Sequence, residues 1–167
     1  MLREFFPFRQ NLEDDGVARV WVDQDIKAGD KWREEIEEAL RQTQTAILFI
    51  SENFLASHFI KTYELPPILS ASEQGRLTVL PVFLSPSSVG EMEISFIHPD
   101  SGSNSQIKLT EFQGFGTPGK TLEESQPVER KKEFLKLSQR IRELAKQPPP
   151  VEEKIENTGK DGYSTWA

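Results

Sequence analysis

The chain has 167 residues, of which 36% are hydrophobic and 28% charged, the proportions and length of one globular domain. Its 20 Lys and Arg stand against 27 Asp and Glu, a net charge of −7 that opposes binding to nucleic-acid phosphates. There is no cysteine, which removes disulfides, thiolate nucleophiles and cysteine zinc sites together, and His58 and His98 form no H-x-x-x-H pair, so no histidine-based metal site is expected.

The N-terminus reads M-L-R-E-F-F-P, with charges where a secretory leader needs an apolar run. Clean apolar stretches such as residues 46–50 fall far short of the roughly 18 residues that span a bilayer. The expectation is a cytoplasmic protein with no membrane segment. Residues 2–12 read as a helix, and residues 17–22 (V-A-R-V-W-V), after Asp15-Gly16, as a strand. Residues 23–30 form a polar loop. A helix follows in which Trp32, Ile36, Ala39, Leu40 and Thr43 share one face, with Asp30 as N-cap.

Residues 46–51 (A-I-L-F-I-S) are apolar without alternation, as in a strand buried on both faces. A helical stretch is expected from about Phe59, interrupted at Pro66-Pro67 and continued by Ile68, Leu69 and Ala71. Residues 77–84 (L-T-V-L-P-V-F-L) make another buried strand, and Pro81 within it predicts an edge or a bulge. Residues 85–121 read as loop, with one short strand over 92–97. Residues 129–146 form an amphipathic helix whose stripe is Phe134, Leu137, Ile141 and Leu144. Its seven basic and three acidic residues predict either a solvated outer face or a site for an anionic partner. The prolines at 148–150 end it. Residues 1–146 thus form the domain and 147–167 a proline-rich tail or linker, expected to be disordered. Alternating strands and helices predict an α/β domain with a parallel sheet.

Residues 114–121 (G-F-G-T-P-G-K-T) match the phosphate-loop pattern G-x-x-x-x-G-K-[ST] in full. A true phosphate loop opens a helix at the Gly-Lys pair, yet Pro127 would break that helix after about two turns. The 167 − 121 = 46 residues that follow hold no apolar strand ending in aspartate for magnesium. A nucleotide-binding P-loop is a remote alternative.

The loop W-V-D-Q-D-I-K-A-G-D-K-W (residues 21–32), the run A-I-L-F-I-S-E-N-F-L-A-S-H-F-I (46–60), Tyr63-Glu64-Leu65-Pro66 and L-P-V-F-L (80–84) closely resemble the TIR (Toll/interleukin-1 receptor) domain family, particularly its bacterial branch. The resemblance covers residues 2–144 and implies a flavodoxin-like, three-layer α/β fold. It departs in one place: TIR domains open with a central strand, whereas this sequence opens inside the first helix. The resemblance therefore implies an N-terminally truncated domain whose two interior strand edges lack a neighbour, and an isolated chain that folds poorly.

The resemblance further implies a cytoplasmic signal-transduction or innate-immunity role and one of two activities. Many TIR domains cleave NAD at its nicotinamide–ribose bond, by hydrolysis or cyclisation, through one glutamate; Glu64 stands at that position. NAD is then substrate and no further cofactor is needed. On this reading Asp25, Gly29, Trp32, Ser57 and Phe59 line the NAD cleft. Other TIR domains are non-catalytic scaffolds that self-associate or bind other TIR domains through the loop here at residues 23–32. Residue by residue the plainer readings stay open: Glu64 as a solvated or capping residue, Trp32 as a core anchor, Asp25 and Gly29 as turn formers, Ser57 as a local cap.

Overall fold

In the computed structural model of the chain, residues 2–17, 32–98, 101–116 and 119–147 are described. Helix α1 (Leu2–Asp14) comes first. It ends as a helix should before Gly16, which takes a left-handed φ of 65°. The Gly16 and Val17 N–H groups donate back to the Glu13 and Leu12 carbonyls, satisfying two carbonyls that the last turn would leave open. The expected strand at 17–22 lies, beyond Val17, outside the described residues.

Helix α2 (Trp32–Arg41) leads into strand β1 (Thr45–Ile50), short helix α3 (Glu52–Ala56), a π-helical turn (Ile60–Glu64), helix α4 (Leu65–Glu73) and strand β2 (Thr78–Phe83). Strands β1 and β2 are parallel, with Thr45 opposite Thr78 through to Ile50 opposite Phe83. Their lack of alternation has the expected cause, a core on each face. Leu48, Ile50, Val79 and Phe83 point into one core with Leu55, Leu65 and Leu69 of α3 and α4. Ile47, Phe49, Leu80 and Val82 point into the other, against Phe5 and Leu12 of α1 and Phe134, Leu137 and Ile141 of α5 (Pro127–Ala145). Helices on both faces of a parallel sheet make the three-layer α/β arrangement that the sequence predicts. Among the described residues, β1 has a strand partner on one side only.

Pro81 lies inside β2, and its placement follows from its missing donor. Within a strand, a residue's nitrogen and carbonyl face the same neighbour. The Pro81 carbonyl accepts from the Phe115 N–H at 2.7 Å, so the proline nitrogen faces the irregular segment around Phe115 and not β1. The ladder to β1 loses nothing.

One expectation is extended and another corrected. The described residues of 85–121 are mostly irregular with a strand inside 92–97, as expected, but that strand has a partner the sequence reading missed: β3 (Ile94–Ile97) pairs antiparallel with β4 (Asn104–Ile107), Ile94 opposite Ile107, and packs Ile94 and Phe96 under α4. The helix near Phe59 is not interrupted at Pro66-Pro67. The two prolines sit in the first turn of α4, where missing N–H groups cost least, and the irregularity lies one turn earlier.

Candidate functional site

In an open parallel sheet, ligands bind beyond the carboxyl ends of the strands. Here that edge is built from the segments leaving Ile50 and Phe83. Ser51 caps α3 by accepting from the Phe54 N–H at 3.2 Å. The Glu52 carboxylate then ties this segment to the turn after β2, accepting from the Ser88 N–H at 3.0 Å and the Ser88 hydroxyl at 3.2 Å. Leu55, buried in the core, pins α3 from below.

Ser57 ends α3, and its hydroxyl accepts from the Ile60 N–H at 3.3 Å, so the structure gives it the local capping role. Phe59 is 42% exposed and lies against Tyr63, ring centroids 5.4 Å apart. Glu64 is half-buried and closes the π-helical turn; Leu65, directly after it, is fully buried. Ser57, Phe59 and Glu64 are thus brought together on one continuous stretch at the sheet's carboxyl edge. Trp32 begins α2, which packs against α4. Asp25 and Gly29 lie outside the described residues.

The sequence reading gave His98 no role, and the structure gives it one. Its Nδ1 lies 2.9 Å from the Ser70 hydroxyl, and its Nε2 lies 2.9 Å from Glu73 Oε2 and 2.8 Å from the Ser105 hydroxyl. A carboxylate only accepts, so Nε2 donates toward Glu73, while Nδ1 and the Ser70 hydroxyl share the other hydrogen bond. The connectivity is that of a serine–histidine–carboxylate relay. However, Ser70 is 1% exposed, sealed between α4 and the hairpin, and no substrate could reach it. The cluster is a clasp that fastens the β3–β4 hairpin to α4. Only the spacing of Ser70 and Glu73 on one helical face hinted at it in sequence.

The described residues of the G-F-G-T-P-G-K-T segment, 114–116 and 119–121, lack the arrangement of a phosphate loop. Residues 122–124 turn, and the next helix starts at Pro127, so no helix opens at Gly119-Lys120. The Thr121 N–H and hydroxyl, which would face nucleotide and magnesium, donate to the Glu124 carboxylate at 2.9 and 2.7 Å. Those bonds, the backbone one foremost, hold the Glu124 carboxyl below its ordinary pKa. Gly114 is required by packing: a Cβ there would lie 2.6 Å from the Phe83 ring.

The basic face of α5 is largely neutralised. Arg130 pairs with Glu4, Lys132 with Glu129, Lys136 with Glu133, Arg140 with Glu143 and Arg142 with Asp15. This favours the solvated-face reading over an anionic partner. Among the described residues there is no group of three His, Cys, Asp or Glu side chains placed to hold a metal, and no helix long and apolar enough to cross a membrane.

The class the fold defines is a three-layer α/β domain with a parallel sheet. The TIR domain family model matches residues 7–114. The chain belongs to the TIR domain family, and its role is that of a signalling domain. No curated protein and no solved structure matches it.

Proposed function

We propose that this TIR domain cleaves the nicotinamide–ribose bond of NAD, with Glu64 as the catalytic carboxylate. One observation carries the reading. Glu64 is half-buried at the carboxyl edge of the sheet, next to Tyr63, whose ring packs on the exposed Phe59, and on backbone pinned by buried Leu65. Cleavage needs little more than a well-placed carboxylate. The bond from ribose C1′ to the nicotinamide nitrogen breaks, its electron pair returns to the ring, and nicotinamide leaves neutral without a general acid. Positive charge develops on the ribose, where Glu64 stabilises it and holds the ribose hydroxyls. Water then forms the new C1′–O bond and releases a proton, or a nucleophilic atom of the substrate itself closes a ring. Phe59, Ser57, Trp32, Asp25 and Gly29 are proposed to line the cleft.

The test is nicotinamide release by purified protein, wild type beside Glu64→Gln. Release that falls at least about a hundredfold in the variant, at unchanged melting temperature, supports the reading. Equal release from both proteins refutes Glu64. A second reading follows from family membership: association with other TIR domains, through residues 23–32, in a non-catalytic signalling scaffold. Concentration-dependent assembly with no nicotinamide release would favour it. A cytoplasmic role in defence signalling fits both.

A further inference from the structure

The π-helical turn before Glu64 has a cause in the sequence. In an α-helix the Thr62 carbonyl accepts from residue 66 and the Tyr63 carbonyl from residue 67. Both donors are proline and cannot donate, and each proline ring crowds the carbonyl four residues back. The Thr62 carbonyl has no five-residue alternative either, because residue 67 is also proline. The chain widens instead: the Leu65 N–H reaches back to the Ile60 carbonyl, enclosing one extra residue. That residue turns the preceding segment about 100° relative to α4, compared with a regular helix. Glu64 then stands one wide turn above Phe59, whereas a regular turn would stack it on Ile60. Single π turns of this kind recur at functional sites.

We infer that Pro66 and Pro67 are positioning residues: by holding the turn open they set Glu64 on the side of the helix that carries Phe59 and Tyr63. The inference rests on the proposed NAD chemistry of Glu64. Neither proline touches substrate in this scheme; each acts by withholding a backbone donor.

The test is the double variant Pro66→Ala, Pro67→Ala, measured beside wild type and Glu64→Gln. Restored N–H groups close the helix, so the amides of residues 66 and 67 become protected in hydrogen exchange. The expected loss is about 10- to 100-fold in kcat, as for a misplaced catalytic group. KM is expected to change less than about threefold, because a misplaced transition-state contact leaves ground-state binding in place. Melting temperature should stay within a few degrees of wild type. Protected amides with wild-type kcat overturn the positioning role while leaving Glu64 catalytic. Unprotected amides overturn the prolines as the cause of the wide turn. Absence of nicotinamide release from wild type, or release indifferent to Glu64→Gln, removes the functional reading and this inference with it.

Discussion

Gly114→Ala tests whether the glycines of the G-F-G-T-P-G-K-T segment serve packing. A Cβ on residue 114 would lie 2.6 Å from Phe83 Cε2, 3.2 Å from Cζ and 3.3 Å from the Pro81 carbonyl oxygen. Carbon atoms in contact prefer about 3.5–4.0 Å, so the ring or the backbone must yield close to 1 Å. Phe83 is 4% exposed and cannot swing into solvent, and Pro81 is locked in β2. Overpacking of this kind costs about 1–3 kcal/mol, and the rigidity on both sides places this case in the upper half, about 2–3 kcal/mol. For a chain of this length the melting temperature should drop by about 4–12 °C, followed by circular dichroism. Gly119→Ala is the control, since nothing lies within 4 Å of a Cβ there; its effect should stay within about 0.5 kcal/mol. Shortening the ring in a Phe83→Leu, Gly114→Ala protein should recover about 1–2 kcal/mol relative to the sum of the single changes. A Gly114→Ala melt indistinguishable from that of Gly119→Ala, or strict additivity with Phe83→Leu, would refute the packing argument.

Phe134→Ala removes a fully buried ring that meets Phe5 at 5.4 Å and should cost about 3–5 kcal/mol in urea titration, whereas Leu135→Ala, half exposed next door, should cost under about 0.5 kcal/mol. The Glu4 carboxyl is held below its ordinary pKa, first by its hydrogen bond to Arg130. A depressed carboxyl stabilises the fold fully above the ordinary value of 4.5 and loses that contribution as pH falls through the lowered one; Glu4→Gln should therefore flatten the acid limb of a stability–pH curve. Ser70→Ala leaves the part-buried His98 Nδ1 without its hydroxyl partner and should cost about 1–3 kcal/mol, with faster hydrogen exchange in β3 and β4 than in β1.

What the sequence revealed followed local pattern. The runs around residues 46–51 and 77–84 read as strands buried on both faces because each face has its own core, and they end within a residue or two of β1 and β2. The stripe Phe134, Leu137, Ile141, Leu144 is the buried face of α5. The β3–β4 hairpin was harder to see because β4 is N-S-Q-I, with one apolar residue; its place is decided by Phe96 and Ile94 packing under α4, a contact distant in sequence. At the candidate site, Glu64, Phe59 and Ser57 were singled out by the family resemblance, and the structure puts them on the one stretch from the end of α3 to the start of α4. The wide turn that joins them was not legible, because Pro66-Pro67 signalled a break at the prolines and their effect falls on the turn before. His98 stayed silent for a related reason: its partners come from α4 and β4, and no local period links residues 70, 73, 98 and 105.

Helix α1 and helix α5 lie side by side, fastened by Glu4 to Arg130 at one end and Asp15 to Arg142 at the other. Packing of α1 therefore waits for the synthesis of α5. Phe5 and Leu12 find their core only when Phe134, Leu137 and Ile141 have been synthesised, more than a hundred residues later. Until then one face of β2, with Leu80 and Val82, stays open to water or to chaperones. The other core, assembled from residues between Leu48 and Leu109, can close on the nascent chain well before. Vectorial synthesis thus divides folding of this domain at its sheet, with the α3–α4 face forming early and the α1–α5 face forming last.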